Sequence, residues 1–169
     1  MHYYAAAGTY TIKIKADCYK CTFSVYPQNV HDVNGNWDAL GNITDGSKMF
    51  YGCSNAVLTL QNLPQGLVNG TYMFRGCENA QLSITKLPAG LVTCASMFHT
   101  CRKAVIDLDT LVANAPAEGW TELTDISYMF HAASPTNSPG TVTGSRSAFL
   151  AKLPNVTNTT SAFYGTNTI

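Results

Sequence analysis

The sequence predicts an α/β repeat solenoid, in which short strands and short helices stack in register behind an N-terminal β-hairpin cap. Three observations support this prediction. The motif KMFYGCSNA at 48–56 returns as YMFRGCENA at 72–80 and SMFHTCRKA at 96–104, with weaker echoes at 128–136 and 161–169. Apolar and polar residues alternate after each of the first three copies, and an LPxG turn follows the first two. A catalytic motif needs to occur once, so its recurrence favours a structural role.

The Met-Phe pair sets the period of the repeat. Its first residue falls at Met49, Met73, Met97 and Met129, and Ala162 takes that place in the last copy, so the spacings are 24, 24, 32 and 33 residues. The two longer units carry the insertions NAPAEGW and SPTNSPGTVTGS, which are rich in turn-forming residues. Because one such unit cannot close its own core, neighbouring units are expected to share a continuous one.

Each unit has a predicted strand and a predicted short helix. Leu58 and Leu60 alternate with polar residues, as expected of a half-buried strand, and the same pattern returns in the next two units. The segment around the Met-Phe pair begins with Thr, Asn or Asp and often ends with Gly, which are helix start and stop signals. Met49 and Cys53 would then share the buried helical face. A further apolar column lies six residues before each Met-Phe pair: Ile43, Leu67, Leu91, Leu123 and Val156.

Two domains follow from this pattern. Residues 1–42 fall outside the repeat, and AGTYTIKIKA and CTFSVYP alternate like the two strands of a β-hairpin that caps the first unit. Residues 43–169 form about five units, of which the last is incomplete. The sequence ends where another strand is expected, so we expect a longer chain, a second copy or an adjoining subunit to cover that end.

The repeated phrase MFxGCxxxxLxL, preceded by Ile/Val-Thr-Asp/Asn, resembles the BspA-type leucine-rich repeats of bacterial surface proteins. The match runs from about Ile43 to the end and is strong over 43–111, whereas Ala133 and Thr166 replace the expected Cys in the later copies. The resemblance implies a curved stack of strands and helices. It also implies adhesion or recognition at a surface, and it brings no catalytic residues.

Composition narrows the classes of function. Apolar residues make up 46% of the 169 residues and charged residues only 12%, with a net charge of zero. Nothing therefore attracts the chain to phosphate backbones or anionic lipid, and no nucleic-acid partner is expected. No apolar run approaches the roughly 18 residues of a membrane-spanning helix, so no membrane insertion is expected either. The N-terminus lacks the basic and apolar regions of a signal peptide.

The best candidate binding residues form an outward-facing column. It consists of the second residue after each Met: Tyr51, Arg75, His99, His131 and Tyr164. Every member is aromatic or cationic, although the column follows a buried Phe and should face solvent. The neighbouring column contributes Tyr72 and Tyr128. Tyr and Arg are favoured at recognition sites, so we expect this stripe to stack on sugar rings or on a partner's side chains. The alternative is an ordinary solvated surface.

The cysteines favour structure over chemistry. Cys53, Cys77 and Cys101 recur at the repeat period and should form a buried column of small apolar side chains. Cys94 and Cys101 would be too far apart to bond along a helix. Cys18 and Cys21 form a single CxxC, without the second pair that zinc usually requires, so metal or redox chemistry is the lesser alternative.

Catalytic and cofactor signatures are missing from the sequence. It contains no GxSxG, HExxH or phosphate-binding glycine loop, so neither an enzyme nor a cofactor is predicted. Asp107 and Asp109 flank Leu108 on an expected strand, and calcium binding there is a minor alternative. Four Asn-x-Thr sequons begin at Asn42, Asn69, Asn155 and Asn158, where Asn and Thr are also wanted as caps.

We therefore expect a non-catalytic recognition or adhesion module that binds a protein or glycan, located outside the cell or at its surface. The alternative is a structural or receptor-binding component of a phage virion, which the low charge and the Thr/Asn/Gly-rich composition would also suit. A glycan-processing enzyme is the third possibility. It would require an exposed acid pair about 5–10 Å apart in a cleft.

Overall fold

The computed structural model of the protein describes residues 20, 22, 32–35, 37, 42–60, 62–133 and 141–168. The predicted N-terminal hairpin, Cys18 and Cys21 lie outside the described residues. So does the start of the second insertion, at 134–140.

In the described part of the chain, five short strands pair in parallel. They are β1 (Asp32–Gly35), β2 (Val57–Leu60), β3 (Gln81–Leu82), β4 (Val105–Asp107) and β5 (Thr141–Thr143). β2 lies between β1 and β3 in a three-stranded sheet, and β4 pairs with β5. A single parallel bridge from Ser83 to Val105 joins the two sheets into one row. Strands from successive units therefore lie side by side in register.

Alternation decides which side of each strand is buried. In β2, Leu58 and Leu60 are buried and the two residues between and before them are exposed. Leu82 in β3 and Ile106 in β4 repeat this pattern, as the sequence predicted. β1 pairs with β2 from Asp32–Val57 to Gly35–Leu60. The sequence did not indicate β1, because DVNG lacks the apolar alternation of a strand.

A second row of parallel bridges runs beside the first. It links one residue from each unit: Lys20, Asp45, Asn69, Thr93, Asp125 and Asn158. The side chain of Asp45 also accepts a hydrogen bond from the Ser47 backbone N–H, and Asn69 does the same for Thr71. Asp125 and Asn158 accept in the same way from Ser127 and Thr160, so Asx turns start the Met-Phe segment of every unit except the one that begins at Thr93. Asn69 and Asn158, expected as helix caps, thus form turns instead.

The Met-Phe segments are successive turns rather than helices, so the predicted helix at this position is wrong. Met49 N–H bonds to the carbonyl of Gly46, but Phe50 N–H bonds to Met73 in the next unit. Lys48 and Gly52 have φ of 58° and 73°, which a right-handed helix excludes. Because alternate N–H groups are committed to the neighbouring unit, the i→i−4 bonds of a helix cannot form. Met49 and Cys53 are nonetheless both buried.

Among the described residues, α-helices occur in the two lengthened units. They are α1 (Leu108–Ala113) and α2 (Arg146–Ala151). Asp107 caps α1 by accepting from the Thr110 N–H, and Ser145 caps α2. The expectation that Asp107 and Asp109 share a strand is therefore wrong. Asp107 ends β4, and Asp109 lies in the first turn of α1.

One apolar core runs through all described units. Its central feature is a column of rings whose successive centroids lie 5.6 to 5.8 Å apart: Phe50, Phe74, Phe98, Phe130 and Phe163. Trp37 covers the first ring edge-on, and Trp120 fills the space under α2 against Phe149. The column six residues before each Met-Phe pair is buried, apart from the partly buried Val156. In the part of the chain that the structure describes, no helix is long and apolar enough to cross a membrane.

Candidate functional site

The seven candidate binding residues lie together on one surface. We call this surface the aromatic strip; it consists of Tyr51, Arg75, His99, His131 and Tyr164 with the neighbouring Tyr72 and Tyr128. Tyr51 and Tyr128 are each 39% exposed and Tyr164 is 67% exposed. The remaining four are half-buried, because members of adjacent units pack on one another.

The turns of each unit aim these side chains outward. In the first unit, Phe50 enters the core, and the backbone then reverses at Gly52 in the left-handed region. Gly52 N–H bonds to the Arg75 carbonyl of the next unit, which fixes Tyr51 beside Arg75. The same pair of left-handed residues recurs in every unit: one directly precedes the Met of the Met-Phe pair, or Ala162, and the other directly follows Tyr51, Arg75, His99, His131 or Tyr164. The side chains are therefore spaced by the backbone ladder.

One end of the strip is a cation–aromatic cluster. The guanidinium carbon of Arg75 lies 5.3 Å from the centre of the Tyr72 ring and 6.0 Å from that of Tyr51. The two tyrosine rings meet edge to face at 6.3 Å. These contacts are within the range of cation–π attraction and hold Arg75 against the surface.

The other end is a stack of parallel rings. His99 and His131 lie 4.6 Å apart at an interplanar angle of 5°, and His131 and Tyr164 lie 4.9 Å apart at 19°. Tyr128 packs obliquely against both imidazoles. The faces of His99 and His131 are thus turned along the stack and toward their neighbours. This geometry does not favour the sugar-stacking role predicted for these two rings, whereas Tyr164 at the end keeps an open face.

The two imidazoles have a defined orientation. Nδ1 of His99 and Nδ1 of His131 are buried and have no hydrogen-bond partner among the described residues. Nε2 of each ring is not buried in this way and is the ring nitrogen that a ligand could reach.

Electrostatics reinforce the neutral form of His99. Burial, the nearby positive charge of Arg75 and the adjacent His131 ring together lower the pKa of His99 below its ordinary value. His99 therefore holds a proton less readily than an ordinary histidine.

The cysteine column is structural, as the sequence predicted. Cys53, Cys77, Cys94 and Cys101 are unbonded to one another and fully buried. The Cys77 thiol donates to the Phe50 carbonyl at 2.9 Å, and the Cys101 thiol donates to Phe74 at 3.0 Å. Burial raises the pKa of both Cys94 and Cys101 well above its usual range. These thiols cannot act as accessible nucleophiles.

The carboxylates of Asp107 and Asp109 are engaged within the protein. Asp107 accepts hydrogen bonds from both the N–H and the hydroxyl of Thr110, while Asp109 accepts from the Ser145 N–H at 3.0 Å. They tie α1 to the β5–α2 connection. In the described ranges, no group of three or more His, Cys, Asp or Glu side chains is arranged to hold a metal ion.

Sequence reasoning missed a groove on the strand side of the molecule. Its volume is about 540 Å³, with Leu60 and Leu82 at the bottom and Gln81, Lys103 and Val105 among its walls. Val105 is 53% exposed. The signal was the outward position of each alternating strand, but the shortness of β3, which opens the groove, is not visible in the pattern.

No protein-family model, curated protein or solved structure matches this chain. The resemblance to BspA-type repeats therefore stays a prediction based on the repeated motif.

Proposed function

We propose that the protein is a non-catalytic recognition module, built as a leucine-rich-repeat-like solenoid, that binds a protein or glycan through the aromatic strip. Support for the solenoid comes from the two parallel rows, which pair equivalent residues of successive units. The Phe column adds a core shared by all described units. A module of this kind is expected outside the cell or at its surface.

One observation supports the binding site above all. Seven residues chosen from the sequence for their outward position and chemistry form two adjacent groups: Arg75 with Tyr51 and Tyr72 at 5.3 to 6.3 Å, and His99, Tyr128, His131 and Tyr164 at 4.6 to 6.5 Å. The core column beside it keeps Phe in every unit, while the strip varies among Tyr, Arg and His. Side chains that differ from unit to unit on a fixed frame allow a surface to be specific without altering the fold.

A binding role fits the chemistry better than a catalytic one. The strip holds no carboxylate that could serve as an acid or base, and the four described thiols are buried. His99 and His131 have no hydrogen-bonded acid that would orient them as a catalytic base.

The test is a quadruple variant, Tyr51→Ala, Arg75→Ala, His99→Ala and His131→Ala. Purified wild-type and variant proteins are applied to printed arrays of glycans and of extracellular proteins. We expect the variant to keep its circular dichroism spectrum and to lose the wild-type binding pattern. The matched control is Gln81→Ala/Lys103→Ala, which alters the groove on the strand side and should bind like the wild type. Binding that survives in the folded quadruple variant but fails in the control moves the site to the groove and refutes the proposal.

A further inference from the structure

The aromatic strip offers ring edges and polar atoms to a ligand, rather than ring faces. His99 and His131 are stacked with planes 5° apart, and Tyr164 continues the stack at 19°. At the other end, the face of Tyr72 is occupied by Arg75. Neutral sugars bind aromatic residues mainly through open faces, which this strip provides only toward its ends.

The middle of the strip is a row of hydrogen-bonding nitrogens. Arg75 is a donor at every nitrogen, and each imidazole leaves Nε2 accessible, which donates whenever it carries a proton. Neighbouring rings in the stack are only 4.6 Å apart, so these nitrogens follow one another closely along the surface. Such a row is complementary to a ligand that carries acceptors.

The charge of the strip has a single sign. The two outward columns contain the seven residues of the strip together with Lys48, Ser96 and Ser161. Their charged residues are Lys48 and Arg75, and none is acidic. Arg75 forms no ion pair with a carboxylate of the described residues, whereas Lys20 is paired with Asp45 and Arg102 with Glu78. A guanidinium that is held against aromatic rings and has no counter-ion among the residues that the structure describes is suited to an anion supplied from outside.

We propose that the aromatic strip binds an anionic polysaccharide, whose carboxylate or sulfate groups lie against Arg75, His99 and His131. This inference rests on the proposed recognition function and narrows its ligand class. The exposed Tyr164 and Tyr51 at the two ends take the sugar rings that flank the anionic groups.

A glycan suits the strip better than an acidic protein does. Protein interfaces are organised around aromatic side chains that bury their open faces in a partner's pocket. Here those faces are largely covered within the strip. An extended peptide also places side chains of one face about 6.6 Å apart, which does not match the spacing of 4.6 to 4.9 Å between stacked rings.

Binding should strengthen in mildly acidic solution. His99 faces Arg75, His131 and the Tyr128 ring, and no acidic residue of its own or the adjacent columns competes for its proton. Protonation of His99 adds positive charge beside Arg75, and an anionic ligand would favour that protonation.

The experiment measures binding by isothermal titration calorimetry with four polymers. Polygalacturonate carries carboxylates, chondroitin sulfate carries sulfate as well, dextran is neutral, and polyglutamate is an acidic polypeptide. We expect binding to one or both anionic glycans that is weakened by salt and several-fold tighter at pH 5.5 than at pH 7.5. If only chondroitin sulfate binds, sulfate is the recognised group, and if polygalacturonate binds, carboxylate suffices.

Variants separate the roles of the residues. Arg75→Ala should weaken binding about 10- to 100-fold, as expected for loss of a charged hydrogen bond. The control Lys103→Ala removes one positive charge outside the strip and should leave the affinity unchanged. The variant His99→Gln retains an N–H donor but cannot be protonated, so its binding should depend less on pH than that of the wild type.

Three outcomes would overturn the inference. They are tighter binding of dextran than of either anionic glycan, equal or tighter binding of polyglutamate, and no binding of any anionic glycan. In each case the quadruple Ala variant on the arrays decides separately whether the strip is a recognition site at all. The ligand class can therefore fail while the proposed function stands.

Discussion

Truncating the central ring of the Phe column should be the most damaging single change in the core. Phe74 is fully buried and lies between Phe50 at 5.6 Å and Phe98 at 5.8 Å, with both neighbours nearly parallel. Phe74→Ala leaves a cavity that typically costs about 3–5 kcal/mol. Each of the two lost aromatic pairs is worth about 0.5–1.5 kcal/mol beyond burial. We therefore expect a cost in the upper half of the range for Phe→Ala, about 4–5 kcal/mol.

Urea unfolding followed by circular dichroism measures this cost. With an m-value of about 2 kcal/mol/M, the midpoint should fall by about 2 M. Two controls grade the effect. Phe163→Ala, in the last described unit and 8% exposed, should cost about 3 kcal/mol, and Tyr51→Ala on the strip should cost less than about 1 kcal/mol. A neutral Phe74→Ala, or a Tyr51→Ala that costs more than it, would show that the register of the units is wrong.

Three further predictions concern backbone, capping and thiols. Gly119→Ala should destabilise the fold by about 2 kcal/mol or more, because φ at Gly119 is +76° and the new Cβ would lie 2.3 Å from the Lys152 carbonyl oxygen. The control is Gly90→Ala, where a Cβ meets nothing within 4 Å; it should be neutral or slightly stabilising. Thermal melting measures both variants. Asp107→Ala should cost about 1 kcal/mol through loss of the α1 cap. The hydrogen bond from the Thr110 hydroxyl lowers the pKa of Asp107. The stabilisation by the Asp107 carboxylate is therefore present above the ordinary carboxyl pKa and is lost as the pH falls through the lowered value. On acidification, the stability of Asp107→Ala should fall less than that of the wild type, and an equal fall would contradict this. In a variant with Cys18→Ser and Cys21→Ser, Ellman's reagent at pH 8 should label no thiol in the native state and four in urea, whereas rapid native labelling would show that the buried column is accessible.

The repeat period alone predicted much of the core. Apolar residues that recur 24 residues apart, such as Phe50 and Phe74, are expected to occupy equivalent positions in successive units. Both are buried in the same column. The outward position of Tyr51 follows by the same argument, because Tyr51 directly follows the buried Phe50 in the repeated motif. Periodicity predicts which side of a unit a residue faces because burial is repeated whenever the unit is repeated.

Local signals failed where a neighbouring unit supplies the hydrogen bond. TDGSKMFYGC carries helix start and stop residues, yet Phe50 N–H bonds to Met73 and not within its own segment. Helix start and stop residues indicate only which hydrogen bonds can form inside a segment. Here the backbone of the next unit, about 24 residues further along the chain, accepts the hydrogen bonds instead. The orientation of the His99 and His131 rings could not be predicted from the sequence either. Residue type specifies the shape of a side chain but not which face of it a neighbour covers.

The same backbone ladder that displaced the predicted helices also explains why the strip suits recognition. Tyr51, Arg75, His99 and His131 are each followed by a backbone N–H that bonds to the next unit, as Gly52 does to Arg75 and Gly76 does to His99. The side chains are then fixed by ring contacts with their neighbours along the strip. A ligand that binds there would order few new rotamers, so less of its interaction energy would be spent on immobilising the protein. The backbone ladder and the ring contacts thus hold this small set of varied residues in place, which is the property that the proposed binding role requires.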